Sequence, residues 1–306
     1  MPSLSDSPLF APAFTGLGAA IAELNRAAAG TELEGRVAAA EAALVALEAM
    51  ALRCVPLGAR LLAETHAGAA IFLDPADLSL TPHIALRGTW EEAQERLLRR
   101  LLQPGGRVVE VGANVGYHTL AMAAAIGPEG RIDAFEAHPT TAALLAATLE
   151  INGLMGRVTL HPVAALDAAG EVSFAESPTH RGSFHRAVPE TEASFTARRT
   201  VPATTLDAAL PDTGPLDLLR IDAEGSEPLA LRGGAELIAR SPSLVLVAEW
   251  APKLMSAQAD VGEFADWLLA QGFAPGRLLP DSTLAPLHRD ALLAEDHLDV
   301  VFLRRG

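Results

Sequence analysis

The sequence predicts an α/β fold: a doubly wound, mostly parallel sheet with a helical extension at its N-terminus. Three observations lead there. A strand, turn, helix rhythm repeats from Arg107 onward. The run VVEVGANVGYHTLAM, Val108 to Met122, is a β-rich apolar segment that breaks at Gly112, Asn114 and Gly116 and resumes with helical spacing. Half of the 306 residues are apolar, enough for a full core, and no internal repeat divides them.

Residues 1–58 read as the extension. Leu17, Ile21, Leu24 and Ala28 lie along one helical stripe before Gly30, and Leu33, Val37, Ala40, Leu44, Leu47 and Ala51 along another. The pair reads as a helical hairpin or short coiled coil, suited to homodimer formation or to packing on its own domain. From residue 59 to 306 a single domain is expected. ARLLAE and AAIFLD are short β-prone pieces, and TWEEAQERLLRRLL, acidic early and basic late, is a helix matched to its dipole and stopped by Pro104, Gly105 and Gly106. RVVEVG then leads into a helix from Tyr117 to Ile126, RIDAFE into TTAALLAATLEIN, LDLLRID into SEPLALRGGAELIA, and SLVLVAEW into VGEFADWLLAQG. RVTLHPVA and EVSFAE read as strands between, and FAPGRLL and HLDVVFLRR as a hairpin at the sheet edge.

Charge and cysteine usage exclude several partners. With 38 acidic against 23 basic residues the net charge is -15, which disfavours nucleic acid and anionic membrane and suits a small hydroxylated acceptor. The single cysteine, Cys54, permits no internal disulfide and reads as a buried apolar residue. No basic leader or membrane-length apolar run is seen, so a soluble, cytoplasmic protein is expected.

A dinucleotide-binding turn requires G-x-G-x-x-G, with its middle glycine close to a pyrophosphate. Here Asn114 stands in that place, where its side chain would crowd the pyrophosphate, and Glu110 before the turn would repel it. A ligand with an ammonium and no phosphate fits better, and S-adenosylmethionine is one. Glu136, at the end of the next strand, is placed to accept hydrogen bonds from both ribose hydroxyls. Glu110, Gly112, Asn114, Gly116, Tyr117, Glu136 and Ala165 are the cofactor-site candidates. A nicotinamide-dependent oxidoreductase and a non-catalytic scaffold are the competing readings.

EVGANVGYHTLAM, AFEAHP, LRIDAEGSEPLALRGG and LVAEW together resemble the FkbM family of S-adenosylmethionine-dependent methyltransferases, from about Gly88 to the C-terminus. The resemblance implies a class I methyltransferase fold, with a seven-stranded sheet ending in an antiparallel hairpin, and methyl transfer to a hydroxyl of a sugar or polyketide-type product. The family more often has Asp at the place of Glu110 and a proline directly after the ribose acid, where this chain has Ala137 and His138.

An alcohol that accepts a methyl group must lose a proton, so a base or a metal is expected. Asp222 and Glu224 end one strand, the one that in this fold faces the transferable methyl, and Glu249 ends the next. They can hold Mg²⁺, with Asp222 and Glu249 as ligands, or supply a base. Glu227 reads as a helix cap. SPTHRGSFHRAV resembles the family's loop over the active site and offers His180 as a base, beside Arg181 and His185. Asp222, Glu249 and His180 are thus the catalytic candidates. His118 either leans over the ligand or fills the helix surface, and Trp90 and Glu91 either cross the substrate entrance or cap a helix. His161, His288 and His297 are assigned to structure.

Overall fold

The structure, a computed structural model, describes residues 54–176, 185–186 and 197–304. The expected helices before residue 54 lie outside these residues, as do His180 and Arg181; of His185 only the backbone is described. The chain divides into two compact units, Met1–Trp90 and Glu91–Gly306. No helix among the described residues is long and apolar enough to cross a membrane.

In the first unit, β1 (Cys54–Leu57), β2 (Arg60–Glu64) and β3 (Ala70–Leu73) form an antiparallel sheet. Cys54–Leu57 were expected in the helical extension. They form a strand because Gly58, at φ 65°, turns the chain back so that Leu57 pairs with Arg60. Cys54 is buried, as expected. Helix α1 (Thr81–Arg87) follows; Asp77 accepts from the backbone N–H groups of Leu80 and Thr81 at its start.

The second unit opens with α2 (Glu92–Leu101) and continues through β4 (Arg107–Val111), α3 (Tyr117–Ile126), β5 (Arg131–Phe135), α4 (Pro139–Ile151) and β6 (Val158–His161). Then come β7 (Ala164–Ala165), β8 (Gly170–Glu176), β9 (His185–Arg186), β10 (Ala197–Thr204) and α5 (Leu206–Ala209). The last part holds β11 (Leu218–Ile221), α6 (Glu227–Arg232), α7 (Ala235–Ala239), β12 (Val245–Trp250), α8 (Pro252–Met255) and α9 (Val261–Ala270). It closes with β13 (Phe273–Leu278), β14 (Leu284–Pro286), α10 (Arg289–Ala294) and β15 (Leu298–Arg304).

The central sheet runs β14-β13-β15-β12-β11-β4-β5-β6. The five strands from β12 to β6 are parallel, and β15 is antiparallel to both β12 and β13. This is the class I methyltransferase fold. It has eight strands rather than the expected seven, because β14 adds to β13, and the expected hairpin lies inside that edge with β15 slotted next to β12. LLRI of β11 is buried along its whole length, as a parallel strand covered on both faces must be. Val109, Leu219 and Leu246 from the strands meet Ile238 of α7 and Phe264 of α9 in one core, where Trp250 is fully buried and donates to the Leu292 carbonyl at 2.7 Å.

Two departures from the sequence reading have local causes. SEPLALRGGAELIA forms two helices, because a Cβ at Gly233 would lie 2.0 Å from the Leu166 carbonyl oxygen and the chain breaks around that contact. A second, four-stranded sheet, β7-β10-β8-β9, stands beside the central one with its own core of Leu166, Val172, Phe174 and Val201.

The strand order reverses at β4, which has β5 on one side and β11 on the other, so a crevice opens beyond the carboxyl ends of β4 and β11. Val111 and Ile221 are register partners, which sets Gly112 beside Asp222. Gly112, at φ 77°, leaves room for the Asp222 backbone: a Cβ there would sit 1.8 Å from its carbonyl oxygen. Gly112→Ala is expected to cost about 3 kcal/mol from strained φ and overpacking. Urea denaturation monitored by circular dichroism checks this, and an unchanged midpoint would contradict the packing described.

Candidate active site

The site is built around a buried cation that the sequence reading did not single out. Arg220 on β11 is 3% exposed. Its Nη2 donates to Asp222 Oδ2 at 2.9 Å, its Nη1 lies 3.4 Å from Glu110 Oε1, and its Nε donates to Gln94 of α2. Glu91 Oε2 lies 3.5 Å from the same guanidinium. Arg220 and Glu110 are register partners on neighbouring strands, so their pairing follows from the β4/β11 alignment. The only signal in the sequence was one arginine inside an otherwise apolar strand.

Glu110 is fully buried. Thr119 donates to its Oε2 at 2.5 Å and Arg220 holds the other oxygen, so its carboxylate is committed inside the protein. Burial raises its pKa to about 7 against the pull of Arg220. Tyr117, expected at the cofactor, is also buried, and its hydroxyl donates to Glu95 of α2 at 2.6 Å. Ala165 lies in the main hydrophobic core on β7.

The turn itself has the geometry a ligand needs. Asn114 is at φ 49°, a left-handed conformation that asparagine tolerates, and its backbone N–H donates to Glu136 Oε2 at 2.8 Å. Gly116, at φ 95°, starts α3; a Cβ there would lie 2.6 Å from Leu145 Cδ1. The other Glu136 oxygen accepts from the His138 N–H at 2.8 Å, so one carboxylate ties the glycine turn to the turn after β5. Burial raises its pKa to about 7, against the lowering effect of those two N–H donors.

His118, also buried, packs its Nε2 2.9 Å from Glu91 Oε2, while its Nδ1 has no hydrogen-bond partner. Burial and the charge of Arg220 lower its pKa, so the ring is a neutral Nε2–H donor. Burial alone would raise the Glu91 pKa, but the His118 hydrogen bond and the Arg220 charge outweigh it and hold it at about 2. Glu91, at φ 44°, stands at the N-cap position of α2 with its side chain turned to His118 and Arg220 instead of capping the helix. Trp90 packs edge-on against His83 in the first unit.

Asp222 keeps 28% of its side chain exposed beyond β11. The neighbouring Glu224 is at φ 51°, and burial, with the charges of Asp222 and Glu227, raises its pKa to about 8. Glu227 is fully buried and accepts from the Ala223 and Gly225 N–H groups with Oε1, a turn-holding role in line with its reading as a cap. Burial raises it to about 7, although the N–H donors oppose this. On β12, burial and then the charges of Asp222 and Glu224 push Glu249 well up; its Oε1 lies 3.3 Å from His297 Nε2, and its Oε2 is buried without a partner. His297 is thereby brought to the site against its assignment to structure. His161, in contrast, stacks on Phe135 and pairs with Asp133 at 2.9 Å, and His288 stands just before α10 without a side-chain capping bond.

Among the described residues no three His, Cys, Asp or Glu side chains are grouped to hold a metal ion. Asp222 is instead paired with Arg220, and Glu249 with His297. The donor set does not fit Mg²⁺.

The reversal of a parallel sheet, with a glycine turn after β4 and acids at the ends of β5, β11 and β12, is the kind of place where a sheet of this class holds its ligand. The methyltransferase FkbM domain family matches residues 110–275, and the chain belongs to that family. The fold is also similar to an O-methyltransferase from Bacillus cereus in complex with S-adenosylhomocysteine, at 14% identity and TM-score 0.43, covering 71% of this chain and 83% of that one. The O-methyltransferase TomG from Streptomyces achromogenes, involved in tomaymycin synthesis and bound to S-adenosylmethionine, is 17% identical with TM-score 0.42, over 71% and 82%. The precorrin-6y C5,15-methyltransferase from Geobacter metallireducens is 14% identical with TM-score 0.40, over 71% and 90%. At this level of similarity the likeness identifies no substrate. Comparison with curated proteins gives no match.

The buried carboxyls set a pH dependence. Glu110, Glu136 and Glu227, each raised to about 7, stay protonated in the folded state at pH values where the unfolded chain is ionised. Their contribution to stability is full below the unfolded value of about 4.5 and is lost as pH rises through about 7, roughly 3 kcal/mol for a shift of this size. Unfolding free energy from urea titrations is therefore expected to fall from pH 5 to pH 8, and Glu227→Gln to flatten the slope. A slope that rises over this range, or is untouched by the substitution, would contradict the assignment.

Proposed function

We propose that this protein is an S-adenosylmethionine-dependent O-methyltransferase acting on a hydroxyl of a sugar or natural-product-like small molecule, in the cytoplasm. The observation that carries the cofactor is Glu136. Each of its oxygens is fixed by one backbone N–H, at 2.8 Å, and keeps a further lone pair for a ribose hydroxyl. Gly112, Asn114 and Gly116 would form the wall of the cofactor pocket. The partly exposed Asp222 would face the cationic methionine end, since Glu110 is already occupied by Arg220 and Thr119. The donor chemistry is wrong for a pyrophosphate, because the groups around the turn are carboxylates and the central arginine is buried among them.

When bound, S-adenosylmethionine supplies an electrophilic methyl group. The protein's own task is to hold the acceptor hydroxyl in line with it and to remove the proton. Asp222 and Glu249 stand at adjacent strand ends, since their predecessors Ile221 and Ala248 are register partners, and would flank that position. The hydroxylated acceptor is a reading from the family's usual chemistry and from the acidic, non-phosphate character of the site.

Isothermal titration with S-adenosylmethionine, S-adenosylhomocysteine and NAD tests the reading. Binding of the first two and not of NAD is expected, and Glu136→Gln should weaken both by roughly 2 kcal/mol or more through the altered hydroxyl contacts. Binding of NAD alone, or unchanged affinity in the variant, would overturn the cofactor assignment.

A further inference from the structure

A cleft of about 500 Å³ is lined by Glu91 and Gln94 of the α2 start, Leu279 and Pro280 after β13, and His297 and Asp299 of the β15 start. Its position follows from topology. Because β15 runs antiparallel to β12, its first residues meet the carboxyl end of β12: Trp250 pairs with Leu298 and Glu249 with Asp299. His297, one residue earlier, is 63% exposed and points its Nε2 at Glu249 Oε1, 3.3 Å away, while Glu249 is mostly buried. The imidazole therefore combines access to the cleft with a buried acid beside it.

We propose that His297 is the catalytic base of the methyl transfer, with Glu249 as its positioning residue. The inference rests on the methyltransferase reading above and adds the group that takes the proton. With Nε2 turned to Glu249 Oε1 at 3.3 Å, Nδ1 is the nitrogen left to accept a proton. The acceptor O–H bond breaks, its proton forms a bond to His297 Nδ1, and the freed electron pair on oxygen bonds the methyl carbon as the carbon–sulfur pair departs with sulfur. Glu249 Oε1 beside Nε2 orients the ring, the part a carboxyl group plays next to a histidine base. Among the described residues Glu249 Oε2 has no hydrogen-bond partner, while its Oε1 faces His297 Nε2.

The test needs no acceptor. The aziridine analogue of S-adenosylmethionine, whose protonated ring alkylates a nucleophile at the acceptor position, is incubated with the full-length protein, and the adduct is located by peptide mass spectrometry. One adduct on His297, suppressed by excess S-adenosylhomocysteine, is expected. His297→Gln should abolish it while S-adenosylhomocysteine still binds. Glu249→Gln should slow labelling at least about tenfold by releasing the ring's tautomer and orientation, with Glu249→Asp restoring most of the rate. An adduct on Asp222 or Glu249, or no cofactor-suppressed adduct in a protein that binds S-adenosylhomocysteine, would overturn the proposal. Failure of the wild-type protein to bind S-adenosylhomocysteine at all would instead remove the methyltransferase reading on which it rests.

Discussion

The guanidinium of Arg220, held between Glu110 on β4, Asp222 beyond β11 and Gln94 on α2, joins the three elements that shape the crevice. Each group answers a need of the others. Glu110 could not remain in a fully apolar interior without a cation or a proton, and Arg220 would cost several kcal/mol to bury without its carboxylates. The pairing is enforced by strand register, because Glu110 and Arg220 face one another across β4 and β11. Asp222, two residues beyond the arginine, is thereby oriented, and Glu91 is drawn toward the same charge from the start of α2.

The glycine turn shows why a motif can be read correctly for partly different reasons. Gly112 and Gly116 were expected to bring backbone close to a ligand. The contacts that forbid a side chain there come from the protein itself, the Asp222 carbonyl at one and Leu145 at the other. Asn114 accommodates the left-handed conformation and turns its N–H to Glu136. The turn is fixed by the protein's own packing before any ligand is considered, which is the preorganisation that a cofactor site requires.

Much of the central sheet was legible because its strands are continuous apolar runs and its helices have clear starts, such as Asp260 capping α9 with a bond to the Glu263 N–H. The four-stranded second sheet was only half legible. ARRTVPAT of β10 carries arginines and a proline, so its pairing with EVSFAE is set by tertiary contact and not by a strong local pattern. The break between α6 and α7 likewise depends on the approach of Leu166 from a distant segment. At the site, the acids were legible as residue types at strand ends, but their partners were not. Nothing local shows that Thr119 and Arg220 occupy Glu110, that Tyr117 turns to Glu95, or that His297 reaches Glu249 from the last strand. Each of these pairings joins residues on different elements, and only the fold brings them together.

The central claim is that the crevice beyond β4 and β11 holds the cofactor, with its ribose on Glu136. A crystal structure with S-adenosylhomocysteine bound tests it most directly. The account predicts both ribose hydroxyls within hydrogen-bond distance of the Glu136 carboxylate, and the amino-acid end beside Asp222 with the Arg220–Glu110 pair intact. A ribose placed away from Glu136, or an amino group that displaces Arg220 from Glu110, would contradict it.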